Sequence, residues 1–225
     1  MGMKDISLTL GDHYSKTFQE YGATPKGVDW GDSIADHALR LDRMLAVLQL
    51  GAKDNPSMLD IGCGYGSLLD VIKERGYSID FHGVDICPSM IEFAKSKHED
   101  AKWTVGDVLD TDFPMQFDYV VCNGILAQKL GTSNRDMDKF LITLIKKMFN
   151  LARTGIAFNV MTTHVNYMVD NLYYRNPVEL LGWCMSELSS HIRLDHAYPL
   201  YEYTLYLYKD TSLSLPNSEL EVKRV

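Results

Sequence analysis

The sequence predicts an α/β fold: a seven-stranded, mostly parallel sheet between helical layers, with antiparallel pairing at the last strand and a helical cover ahead of the first. Three observations predict it. From residue 57 onward short apolar runs alternate with segments of helical period. The first of these runs is followed by a turn containing Gly62, Gly64 and Gly66. Toward the C-terminus two consecutive runs rich in aromatic and β-branched residues break the alternation.

Ahead of the sheet, Leu41, Leu45 and Leu48 recur at helical spacing between Asp32 and Gly51, with Asp32 or Ser33 available as N-cap and Gly51 as C-cap. SMLDI (57–61) reads as the first strand and SLLDVIKER (67–75) as the helix after it. IDFHGVD (79–85) and PSMIEFAKSK (88–97) repeat the pair, with Pro88 at a first helical position that needs no backbone N–H. KWTV (102–105) and FDYVVC (117–122) are the next strands. Met137, Phe140, Leu141, Leu144, Ile145 and Met148 then fall on one face of a helix, and GIAFNVM (155–161) is a fifth strand. Strands separated by helical crossovers run parallel. PVELLGWCMSEL (177–188) reads as a helix, whereas HIRLDHAY (191–198) and YEYTLYLYK (201–209) have too little between them for a crossover and should pair antiparallel. The polar tail from 211 to 225, with Pro216, is expected to be mobile.

A chain of 225 residues that is 46% hydrophobic can bury a full core, and one domain is expected. Its 30 acidic against 22 basic residues give a formal charge of −8, which opposes attraction to DNA, RNA or anionic lipid, so neither nucleic acid nor membrane is expected as a partner. The densest basic groupings, Lys95 with Lys97 and Lys146 with Lys147, read as helix faces. Cys63, Cys87, Cys122 and Cys184 form no C-x-x-C pair, which suits reduced thiols in a cytoplasmic protein. The N-terminal MGMKDISLTLGD lacks the order of a secretion signal, and no apolar run approaches the roughly 20 residues that cross a bilayer.

A glycine-rich turn after a first strand brings backbone N–H groups and a helix N-terminus close to a ligand. The dinucleotide fingerprint G-x-G-x-x-G/A would require a small third residue where Ser67 stands, which makes an oxidoreductase the weakest option. The spacing here is D-x-G-x-G-x-G, from Asp60 through Gly62 and Gly64 to Gly66. Further blocks follow in order: Asp85 ending the second strand, WTVGDVLD (103–110), FDYVVCNGIL (117–126) and RTGIAFNV (153–160). This set resembles the class I S-adenosylmethionine (SAM)-dependent methyltransferases of small-molecule type, which implies a three-layer Rossmann-like fold.

The resemblance implies that Asp60, Gly62, Cys63, Gly64 and Gly66 belong to the cofactor turn. It implies that Asp85 accepts from both ribose hydroxyls, with Ile86 packed on the adenine, and that Asp107 accepts the adenine amino group beside Val108. Asn123 and Gly124, within the stretch from Cys122 to Ile125, would lie under the methionine portion. In HALRLDRML, Arg40 is similar to an arginine that grips the cofactor carboxylate in ubiquinone-pathway methyltransferases, although a surface ion pair with Asp36 or Asp42 is an equal reading. HYSKTFQEYGATPKGVDW (13–30) resembles the N-terminal segment of a bacterial subgroup of small methyltransferases, and its Tyr14, Tyr21 and Trp30 are candidates to roof the site, with ordinary helix packing favoured for Tyr21. The implied organisation is one domain over 1–210, comprising a cover (1–52), a cofactor-binding core (53–162) and acceptor-side helix and strands (163–210).

Methyl transfer from a sulfonium needs alignment, water exclusion and at most a proton acceptor. No metal is expected, since NVMTTHVNYM after the fifth strand supplies no convergent carboxylates, although Asp170 is near. CNGI (122–125) departs from the N/D-P-P-Y motif of enzymes that methylate nucleobases or glutamine, and this favours a small-molecule acceptor. Ligands of open α/β sheets bind at the carboxyl ends of strands. That places Gln128, His164, Tyr167, Tyr173 and Tyr174 near the acceptor, with His164, Tyr14 and Tyr173 as catalytic candidates and a structural histidine as the plainer reading of His164. Two alternatives keep the cofactor: an intramolecular cyclisation releasing methylthioadenosine, and a non-catalytic SAM-binding module. The sequence leaves a homodimer open.

Overall fold

The structure, a computed structural model, describes residues 2–48 and 54–209. The cover begins with α1 (Met3–Tyr21), whose first turn is tied by the Gly2 N–H donating to the Asp5 carboxylate at 3.0 Å. It stops at Gly22, which adopts φ +65° and donates to the Phe18 carbonyl. Ile6, Ser7, Leu10 and Gly11 form its buried stripe. A short 3-10 turn (Lys26–Val28) leads to α2 (Ile34–Leu45), capped by Ser33, whose hydroxyl accepts from the Asp36 N–H at 3.1 Å. α2 ends before Leu48, sooner than the leucine spacing suggests. The expected C-cap Gly51 and the tail 211–225 lie outside the described residues.

Next come β1 (Ser57–Ile61), α3 (Ser67–Glu74), β2 (Asp80–Asp85), α4 (Pro88–Lys97), β3 (Lys102–Val105), β4 (Phe117–Cys122), α5 (Asn134–Leu151) and β5 (Ala152–Thr162). The chain closes with β6 (Tyr174–Arg175), α6 (Pro177–Glu187), β7 (Ile192–Asp195) and β8 (Glu202–Tyr208). The sheet runs β3-β2-β1-β4-β5-β8-β7, parallel through β5, with β8 inserted antiparallel between β5 and β7. The mostly parallel sheet with antiparallel last strands is the expected one. β6, paired to the end of β5, is additional, because two residues carry no periodicity to read.

Strand residues alternate between two apolar layers. Leu59, Val120, Ile156 and Leu205 face one cluster with Met137, Leu141 and Leu144 of α5. Met58, Tyr119, Ala157 and Tyr206 face the other, packed by Leu41 and Met44 of α2 and by Leu68 and Ile72 of α3. Both sheet faces are covered, which is why β1 and β4 read as near-continuous apolar runs. β1 sits between β2 and β4, so the order reverses there and opens a crevice at the carboxyl ends of those strands.

Candidate active site

Beyond those strand ends lies a cleft of about 970 Å³, the open solvent at its mouth included. The turn after β1 forms part of its floor. Gly62 and Cys63 both donate to the Val84 carbonyl, at 2.8 and 3.2 Å, which presses the turn against β2. At Gly62 the backbone has φ +70° and an added Cβ would come within 2.6 Å of Ile125, so no side chain fits between the two turns. Gly64 donates to Asp85 at 2.8 Å, and Gly66, at φ +87°, caps α3 and abuts Trp103. Gly64 and Gly66 thus shape the turn, while Gly62, Cys63 and Ser67 line the cleft.

The floor is acidic. Asp60 is 3% exposed in a strand otherwise built of core residues, and burial, with the neighbouring Asp85, pushes its carboxyl well above the usual carboxylate range. Asp85 is pinned by the Gly64 and Cys87 N–H groups, each at 2.8 Å; burial raises its carboxyl while these backbone donors and that of Ile86 pull it down. Asp107 caps its own turn by accepting from the Leu109 N–H at 2.9 Å, and it also lines the cleft. Ile86, Val108, Asn123 and Gly124 are on the wall as well. The Asn123 side-chain amide oxygen is buried and has no hydrogen-bond partner among the described residues, and the Gly124 N–H is held by the Asn159 side chain at 2.9 Å.

The opposite wall is the cover: Leu10, Gly11 and Tyr14 of α1, Val28 and Trp30, and His37 and Leu41 of α2. Gly11 seats α1 directly on Ile86, and Trp30 lies over Gly124. Burial, with Asp29 and Asp85, raises the Tyr14 phenol. Burial, seconded by Arg40, pushes the His37 imidazole down to about 4. His37 escaped the sequence reading; its only signal was the i, i+3 spacing to Arg40 on one helix.

Other expected residues are placed elsewhere. Arg40 lies off the wall: its Nε donates to Glu202 at 3.0 Å and its guanidinium stacks 4.0 Å over Trp30, while Asp42 pairs with Arg75. His164 is exposed beside His196, away from the cleft. Tyr173 is fully buried, its hydroxyl donating to Asp138, because a phenol in the core needs an acceptor. Tyr167 is 76% exposed, and Tyr174 donates through its hydroxyl position to no cleft group but accepts from the Val169 N–H. Tyr21 stays at the surface under Lys26. Gln128 bridges the cover and the body, donating to Asp29 at 2.7 Å and accepting from Asn171 at 3.0 Å.

A profile of the methyltransferase domain matches residues 58–155. The Mycobacterium tuberculosis protein Rv1506c, which carries a methyltransferase name, is 30% identical over 162 residues, or 71% of this chain and 97% of that protein. The chain belongs to the methyltransferase-domain family, whose cofactor is SAM. Solved methyltransferases share its fold. Magnesium protoporphyrin IX methyltransferase of Synechocystis PCC 6803, determined with bound SAM, superposes with a TM-score of 0.63 at 15% identity, covering 91% of this chain and 97% of that one. DhpI in complex with S-adenosylhomocysteine (SAH) gives 0.61 at 19% identity, covering 92% and 98%.

The methyltransferase's cleft fits the cofactor on three counts. Carboxylates without a cation on the wall, among the described residues, suit a ligand that carries a sulfonium and an ammonium. The unpartnered Asn123 oxygen is an acceptor waiting for a donor, and the Gly62 cradle admits a ligand where a Cβ would block it.

Proposed function

We propose that this SAM-dependent methyltransferase moves a methyl group to an oxygen or nitrogen atom of a small free molecule, without a metal, within one domain spanning 1–210. The carrying observation is that strand-end acids and glycines form one side of the cleft and α1, the 3-10 turn and α2 the other, so the reacting space is walled on both sides, which suits a small acceptor. Asp85 would hold the ribose, Asp107 and Val108 the adenine against Ile86, and Gly62, Cys63, Asn123 and Gly124 the methionine portion. When bound, SAM supplies a methyl group already activated on sulfur, so displacement needs alignment and dryness above all. Gly11, Trp30 and Leu41 supply the dryness by closing the cover on the floor. The bacterial subgroup likeness of 13–30 and a reducing, cytoplasmic setting for the four buried free cysteines belong to the same reading.

Calorimetry with SAH tests the cofactor half. Wild type should bind, and Asp85→Ala should bind about a hundredfold more weakly, the worth of two hydrogen bonds to a charged group at about 1.5 kcal/mol each. Equal affinities would remove Asp85 from the site. Products after incubation with SAM and candidate acceptors separate the chemistries, since SAH marks transfer and methylthioadenosine marks cyclisation.

A further inference from the structure

The cover presents two polar groups to the cleft that no protein group engages. Tyr14 reaches it from α1 and His37 from α2, and neither the phenol oxygen nor the imidazole nitrogens hydrogen-bond another residue among those described. His37 is only 6% exposed and rests against the Tyr65 ring at 6.3 Å. Buried histidines ordinarily find partners within the protein, so an uncommitted one on a cavity wall points to a ligand. Between these groups the cover is apolar, with Val28, Trp30 and Leu41, and among the described residues no lysine or arginine lines the cleft.

We infer that the methyl acceptor is an uncharged hydroxyl compound, its attacking oxygen held between the Tyr14 hydroxyl and the His37 imidazole and its body packed on Val28, Trp30 and Leu41. This rests on the proposed function and names its substrate class. Among the described residues no lysine or arginine lines the cleft, and the cofactor brings a carboxylate of its own, so a carboxylate or phosphate acceptor would add a second anion with no protein cation to pair with. An ammonium acceptor is admitted by the charge but has no lone pair for attack until it loses a proton. A hydroxyl attacks as it stands. Its oxygen–carbon bond forms while the carbon–sulfur bond breaks, the electron pair of the latter stays on sulfur, and the hydroxyl proton, made acidic by bond formation, passes to a His37 ring nitrogen. His37 is thereby assigned as a catalytic residue and Tyr14 as its partner in holding the acceptor.

The test uses full-length protein saturated with SAH and four probes, phenol, benzoate, phenyl phosphate and benzylamine, with binding followed by ligand-observed NMR. Phenol should bind about tenfold or more tightly than benzoate and phenyl phosphate, and should move the His37 ring nitrogen resonances. His37→Phe should weaken phenol about fivefold or more with SAH affinity unchanged, and Tyr14→Phe, which deletes a single oxygen, gives the same reading if His37→Phe does not fold. The inference is overturned by anionic probes binding as well as phenol, by benzylamine outcompeting it, by no phenol binding at millimolar concentration, or by phenol affinity indifferent to the variants. Failure of wild type to bind SAH at the outset strikes instead at the proposed function.

Discussion

At the scale of single residues, the cleft concentrates groups whose charge state depends on burial. His37 in the folded protein protonates only near pH 4, below its ordinary 6.5, so the unfolded chain takes up that proton more readily. Stability from this group is therefore intact above pH 6.5 and lost as pH falls toward 4, by about 3 kcal/mol in all. Urea unfolding across that interval should show the decline, and His37→Phe should flatten it by a comparable amount. Asp60 and Asp85 behave oppositely, since burial raises both carboxyls and a cationic ligand favours their ionised forms. SAM binding should therefore tighten as pH rises through the raised carboxyl range and should expel protons. Calorimetry in buffers of different ionisation enthalpy would detect this, and SAH, which lacks the sulfonium, should release fewer. Asp60 was legible from its spacing to the glycines, and Asp85 from its place at the end of a predicted strand together with the family resemblance. His37 was not, because a histidine inside an amphipathic helix looks like any half-buried polar residue.

At the scale of elements, a buried polar chain ties the cover to the floor. Arg40 on α2 donates to Glu202 at the start of β8, Glu202 accepts from Asn159 of β5 at 3.2 Å, and Asn159 holds the Gly124 N–H after β4. Glu202 is 1% exposed and the Arg40 side chain 11%, so removing Arg40 strands a buried carboxylate and removing Glu202 leaves a largely covered guanidinium unpaired. Glu202→Ala should cost about 3–5 kcal/mol, and the double replacement Arg40→Met with Glu202→Leu should recover most of it in denaturant unfolding. The same view explains two misplaced expectations. β6 pairs beside the end of β5, and Tyr173 just ahead of it is buried against Asp138 of α5, while the segment after β5 leaves His164 at the surface. Proximity in sequence to a strand end decides only that a residue is near the sheet rim, and the path of the following loop decides which side it takes.

At the scale of the molecule, the cofactor side rests on a sheet buried on both faces, whereas α1 is held by one buried stripe and, through the His13–Asp29 pair at 2.9 Å, by the Gln128–Asp29 bridge. Such a segment should open locally at lower free energy than the core. Hydrogen exchange should proceed faster across 3–21 than across β1 and β4, and SAH should slow it, because Gly11 and Tyr14 of α1 line the cleft. Equal protection with and without SAH would show that the cover does not respond to the ligand. The sequence by itself determined the order of strands and helices, the parallel run and its antiparallel ending, and the acids and glycines at the strand ends, since each follows from local period and spacing. Only the tertiary structure decided that Tyr14 and His37 face the cleft while Arg40, His164 and Tyr173 do not. Periodicity tells which residues share a face, but where that face points is set by partners far along the chain, as Glu202 is for Arg40 at a separation of 162 residues.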